Sequence, residues 1–159
     1  MAFWRVLFVL LIAAGSVRAD CECKPFWSPF RGNCYRLFAP KTWAAAEDDC
    51  KLYRVGGKIG HLASIRSTGE NDFLQTMRES TVSSETQAWV GGNDIENDGI
   101  FVWTDGKAFT YENWLPNQPN NYDGPQNCIS IMRKEGILGW NDANCDANLP
   151  YICETSSLP

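Results

Sequence analysis

Between Gln118 and Cys145 the chain gathers oxygen-bearing side chains around a single proline. Gln118-Pro119-Asn120 comes first, then Gln126 and Cys128, then Trp140-Asn141-Asp142 and finally Cys145. Hard cations such as Ca2+ take six to eight oxygen ligands from carboxylates, amide carbonyls and water. Gln118, Asn120, Gln126, Asn141 and Asp142 supply much of such a set. Each amide also carries an NH2 donor, so a residue that ligates a cation can hydrogen-bond a sugar hydroxyl as well. A sugar can share the ion through two neighbouring hydroxyls. Asp142 is the one charged member, and a bond between the two cysteines would pin the halves together.

Little else in the chain competes for chemistry. The single histidine, His61, precedes the apolar run Leu62-Ala63 and reads as the start of a buried strand, not as a base. Nucleophile elbows, phosphate loops and zinc motifs are missing, so an enzyme is not expected. The formal charge of −5 argues against nucleic acid or an anionic membrane as the main partner. Residues 1–19 read as an export signal: Arg5, an apolar run over 6–14, and small residues around Val17-Arg18-Ala19. That run is well short of the roughly 20 residues a membrane span requires. Removing Arg5 and Arg18 with the leader takes the net charge from −5 to −7. Residues 20–159 then suit one extracellular domain with one core.

All seven cysteines follow the leader: Cys21, Cys23, Cys34, Cys50, Cys128, Cys145 and Cys153. In an oxidising compartment they become structural bridges. Six paired cysteines allow about 15 connectivities, and the odd one is free or bonded to another chain. No Asn-x-Ser/Thr acceptor for N-glycosylation occurs.

The elements that must hold the oxygen cluster follow from pattern. Residues 26–38, aromatic and broken by Pro29, Gly32 and Asn33, suggest a hairpin. Thr42 is placed to cap a helix running to about Tyr53 and stopped by Gly56-Gly57. Residues 62–65 form a short strand. Ser67-x-x-Glu70 is a capping box opening a second helix, with Phe73, Leu74 and Met77 facing the core. Strands are expected from Trp89-Val90, over 100–104, 128–132, 138–141 and 151–154. The acidic stretch 93–99 is a loop, and 111–127 is a long loop of the kind that is usually functional or disordered. Two helices ahead of a strand-rich second half indicate an α+β domain.

From Cys23 to Glu154 the chain resembles a C-type lectin domain of the long form. Cys23-Lys-Pro-Phe-Trp with Cys34-Tyr35, Trp43 to Cys50, His61-Leu-Ala-Ser-Ile65, Trp89-Val-Gly-Gly92, Trp140-Asn-Asp142 and Tyr151-Ile-Cys-Glu154 occur in the expected order. The resemblance implies two helices with small antiparallel sheets and a long calcium- and ligand-binding loop region. It implies the bridges Cys23–Cys34, Cys50–Cys153 and Cys128–Cys145. Cys21 is left over for an interchain bond and a disulfide-linked homodimer, unless a small thiol caps it or it exchanges with Cys23. Trp103, Trp114 and Trp140 are expected in the core.

The same resemblance places calcium at Gln118, Asn120, Gln126, Asn141 and Asp142, with Pro119 in a cis turn, and sugar at Gln118, Asn120, Tyr122, Gln126 and Asn141. An auxiliary calcium position falls on Asp94, Asp98, Asn121 and Asn127, the alternative being a solvated acidic loop. Sugar-binding members usually carry an acid at one end of the tripeptide and often where Gln126 stands. Here amides fill those positions. Glu-Pro-Asn goes with mannose and Gln-Pro-Asp with galactose, so Gln118-Pro119-Asn120 is a hybrid. Tyr122, aligned with an aromatic of galactose binders, tips the expectation toward galactose or N-acetylgalactosamine. The expected protein is a secreted, calcium-dependent lectin for glycans. The alternatives are mannose-type or broad specificity, or a protein, mineral or ice ligand bound without calcium.

Overall fold

The computed structural model describes residues 22–83 and 86–158. The expected leader and Cys21 lie outside the described residues. In chain order the elements are β1 (Ser28–Phe30), β2 (Asn33–Lys41), α1 (Trp43–Cys50), β3 (Arg54–Val55), β4 (Lys58–Ile59), β5 (His61–Leu62), α2 (Thr68–Thr81), β6 (Ala88–Asn93), β7 (Val102–Trp103), β8 (Cys128–Lys134), β9 (Ile137–Ala143) and β10 (Leu149–Ser156).

The α+β expectation holds, with the sheets joined differently from the expected small antiparallel ones. Eight strands form one sheet in the order β1-β2-β10-β6-β8-β9, with β5 paired to β10 and β7 to β6. Between its named strands, among the described residues, the one parallel pairing is Tyr151 against Trp89 and the other pairings are antiparallel; an isolated parallel bridge also joins Trp114 to Trp140 of β9. Strand β10 makes this fusion possible. Six of its eight residues, 150–155, are buried, so it serves as a central strand with partners on both edges. No helix among the described residues is long and apolar enough to cross a membrane.

Helix α1 stops at Cys50, short of the expected Tyr53. The reason is packing: Tyr53 leaves the helix to set its ring against Trp27 and Phe38, at 5.0 and 5.3 Å between centroids. Thr42 occupies the cap position with extended backbone, but its side chain makes no capping bond. Gly56 and Gly57, read as the helix stop, instead turn the β3–β4 hairpin at φ 56° and 79°. Helix α2 begins as expected, with Ser67 Oγ accepting from the Glu70 N–H at 3.3 Å. The reciprocal arm lands one residue early, Glu70 Oε2 accepting from the Arg66 N–H at 2.7 Å. Leu74 is fully buried and Phe73 and Met77 partly so. The helix also buries amides: Gln75 donates to the Gly139 carbonyl at 3.3 Å, and Asn71 accepts from Trp140 Nε1 at 2.9 Å. These two bonds fasten α2 directly to the strand that carries Asn141 and Asp142.

Bridges Cys23–Cys34, Cys50–Cys153 and Cys128–Cys145 are all present. Trp103 and Trp140 are buried, and Trp114 packs against the same cluster of Ile129, Ile131, Val90 and Leu74. The two ends of the described chain meet, Leu158 donating its N–H to the Glu22 carbonyl at 2.8 Å.

Candidate functional site

Residues 104–127, between β7 and β8, carry no helix or named strand and hold most of the expected ligands. The loop is seated on β9 by two main-chain bonds, Leu115 N–H to the Trp140 carbonyl (2.9 Å) and Trp140 N–H to the Asn113 carbonyl (2.8 Å). Gly139 permits this approach, since a Cβ there would stand 2.9 Å from Leu115 and 3.0 Å from the Asn113 carbonyl oxygen. Beyond Leu115 the chain turns through a cis Gln118–Pro119 bond, as expected.

That turn closes over Asp142. Its Oδ2 accepts the main-chain N–H of Asn120 at 2.8 Å and of Asn121 at 2.7 Å. Its Oδ1 is buried and has no hydrogen-bond partner, and the same is true of Gln118 Oε1. Buried acceptors left without donors are costly, and these two belong to the cis turn and to the strand beneath it. Asn120 Oδ1 accepts from the Tyr122 N–H at 2.8 Å, which leaves Tyr122 with 77 % of its surface exposed.

Asn141 and Asp142 leave β9 on opposite faces, because they are consecutive residues of one strand. Asn141 lines a cleft with Gln87 and Met132, yet its Nδ2 turns back onto the Asp142 carbonyl. Gln126 joins the group through its main chain, donating N–H to Asn121 Oδ1 at 2.8 Å. Asn120 is therefore joined directly to the Asp142 carboxylate, Asn141 to the Asp142 carbonyl and Gln126 at one remove through Asn121, while Gln118 is placed by the cis turn alone. No group of three or more His, Cys, Asp or Glu occurs among the described residues, so an all-acid metal cage is not what is built.

The residues expected at the second position form two amide–carboxylate pairs. Asn127 Nδ2 donates to Asp94 Oδ1 and Asn121 Nδ2 to Asp98 Oδ1, both at 3.0 Å.

A third polar cluster went unread in the sequence. Glu154 accepts from Asn33 Nδ2 (2.8 Å), the Ser64 N–H (3.1 Å) and Lys107 Nζ (2.6 Å). Lys107 also pairs with Asp105 at 2.8 Å. Burial pulls the Lys107 ammonium down, but Glu154 and Asp105 outweigh it and hold it above its ordinary value. Burial pushes the Asp105 carboxyl up, but hydrogen bonds from Lys107 and Ser64 keep it below the usual range. Only the glutamate's place in the Tyr151-Ile-Cys-Glu154 run hinted at it. Its partners lie 47 and more residues away. His61 opens β5 as expected and pairs with Glu47 at 2.8 Å.

Residues 39–155 match the family described as the Lectin C-type domain. The chain belongs to this family. It is 40 % identical over 168 residues to the alpha-N-acetylgalactosamine-specific lectin of Patiria pectinifera, covering 99 % of each chain. Its structure is similar to the C-type lectin CEL-I from Cucumaria echinata, with a TM-score of 0.77 and 29 % identity over 84 % of this chain and 96 % of that one. It is also similar to a calcium-independent type II antifreeze protein, with a TM-score of 0.71 and 28 % identity over 86 % of this chain and 98 % of that one. The C-type lectin reading makes the chain a carbohydrate-binding protein and not an enzyme.

Proposed function

We propose that this C-type lectin is exported, binds Ca2+ and uses it to recognise galactose-type sugars, N-acetylgalactosamine foremost. The observation that carries the reading is the pair of buried, donor-free oxygens, Gln118 Oε1 and Asp142 Oδ1. Oxygen acceptors without hydrogen-bond donors suit a hard cation. Gln118, Asn120, Gln126, Asn141 and Asp142 would hold it. Bound there, calcium would supply a Lewis-acidic centre for two neighbouring sugar hydroxyls. A half-turn of the Asn141 amide exchanges its oxygen and nitrogen, and sets two oxygens side by side at the Asp142 carbonyl. With Asp142 alone charged, affinity belongs in the weak extracellular range of about 10⁻⁴–10⁻³ M.

The protein's own groups then choose the sugar. Amides at Gln118, Asn120, Gln126 and Asn141 offer both donors and acceptors to hydroxyls. The exposed Tyr122 ring offers an apolar face to a pyranose. The N-acetylgalactosamine specificity of the Patiria pectinifera relative favours the galactose side of the hybrid tripeptide. Residues 1–19 would act as the export leader and residues 20–159 as the working lectin domain. Cys21, outside the three bridges, would join two chains, and two weak sites would gain by multivalency. A gel run with and without reductant reads that bond, and an unchanged monomer band rules it out.

The deciding experiment is retention on immobilised N-acetylgalactosamine in millimolar calcium, followed by EDTA. Release by EDTA is the expected result. Retention on mannose alone overturns the specificity, and retention that survives EDTA overturns the role of calcium.

A further inference from the structure

The loop after β6 carries Asp94, which is 2 % exposed, and Asp98 four residues on. A carboxylate buried like Asp94 needs either a cation or N–H donors to offset its desolvation, whereas Asp98 is exposed. Donors are supplied from within the chain. Asp94 Oδ2 accepts from the Gly99 N–H at 2.7 Å and Oδ1 from Asn127 Nδ2 at 3.0 Å. Asp98 Oδ1 accepts from Asn121 Nδ2 at 3.0 Å.

Asn121 is the hub of this arrangement. Its N–H donates to Asp142 Oδ2 at 2.7 Å, its Nδ2 holds Asp98, and its Oδ1 accepts from the Gln126 N–H at 2.8 Å. Which way its amide points is settled by chemistry: the Gln126 N–H is a donor and must meet the oxygen, so the NH2 must face Asp98. A cation beside Asp98 would therefore meet the NH2 of Asn121 and not its oxygen. Asn121 sits at φ 46°, in the left-handed region that asparagine, aspartate and glycine tolerate best.

We infer that Asn121 is a positioning residue that orders the ligand loop with amide–carboxylate bonds in place of a second ion, so that the protein takes one calcium and not two. The ion count rests on the calcium reading above; the ordering of the loop does not. The test combines hydrogen exchange over residues 94–99 and 120–127 in EDTA with calorimetric titration of calcium, on the full-length secreted protein. The wild type should be protected in EDTA and take one equivalent. Asn121→Gly keeps the backbone conformation, so its loop should exchange roughly tenfold faster or more, as expected for losing the charge-assisted bond to Asp98 and the bond from the Gln126 N–H, with no gain of calcium. Asn121→Asp replaces the donor with another carboxylate. Its loop should lose protection in EDTA and regain it on taking up a second equivalent, a response that a merely structural asparagine would not give. Two equivalents bound by the wild type would overturn the ion count. Equal exchange in wild type and Asn121→Gly would overturn the positioning role. A wild type that takes no calcium would sink the preceding section's reading and the count with it, while the exchange rates still decide what Asn121 does.

Discussion

Glu154 and Asp142 are both buried carboxylates, 6 % and 0 % exposed, and the protein treats them oppositely. Glu154 is closed: side-chain amide, main-chain N–H and a lysine ammonium reach it, and the Lys107 ammonium is the cation. Asp142 is half closed. One oxygen takes two main-chain N–H groups and the other takes nothing. A satisfied carboxylate holds secondary elements together. An unsatisfied one, kept in place by the backbone of a cis turn, keeps an acceptor free and would be the socket on the calcium reading.

The sharpest way to break this contrast is to remove the closed member. Glu154→Ala leaves the Lys107 ammonium facing Asp105 alone, and should cost about 3 kcal/mol in denaturant unfolding, equally with and without calcium. A loss that calcium restores would mean the two carboxylates are not of different kinds. Removing the open member should do the reverse. Asp142→Asn is expected to lower calcium affinity at least 10–100-fold, the range typical for losing a partner at a metal site, with little change of stability in EDTA. Calorimetry and a melting curve in EDTA check both halves.

Adding charge sharpens the socket. Gln118→Glu should raise calcium affinity about tenfold, because affinity follows ligand charge count. It also creates Glu-Pro-Asn and should move resin retention toward mannose. Tyr122→Ala, which touches neither carboxylate, should weaken galactose-type sugars by about 1 kcal/mol or less and leave calcium titration unchanged. The mildest effect is on pH. Asp105 is held below its ordinary range, so its contribution is present above about pH 4 and fades as pH falls through the lowered folded value. Lys107 is held above its ordinary value, so its contribution is present below about pH 10 and fades as pH rises through the raised one. Lys107→Met should flatten both limbs of the stability profile, and an unchanged profile would remove the cluster from the scaffold.

The socket was more legible in the sequence than the scaffold's polar ties. Gln118, Asn120 and Asp142 lie within one segment and were read together, as were the three bridges once the resemblance was drawn. Tyr53 was misjudged because its destination is an aromatic cluster with Trp27 and Phe38, which helix propensity does not see. Gly56-Gly57 was read correctly as a break and wrongly as a helix stop, because a two-residue turn serves a hairpin equally well. The opposite facing of Asn141 and Asp142 follows from the two-residue period of a strand, and was missed because the expected strand stopped at Asn141 whereas β9 runs on to Ala143. Lys107 and Glu154 are far apart in the chain, and only the folded sheet brings them into contact.

The bond from Leu158 to Glu22 places the last described residues against the first, with Cys50–Cys153 clamping the same strand nearby. A short linker could therefore join the ends of the described domain, and the chain could be reopened at the exposed Glu135-Gly136 turn between β8 and β9. Such a circular permutant would keep every disulfide and the whole of the socket while moving the free ends to another part of the surface. The domain's architecture is, in that sense, a loop whose opening is a matter of convenience.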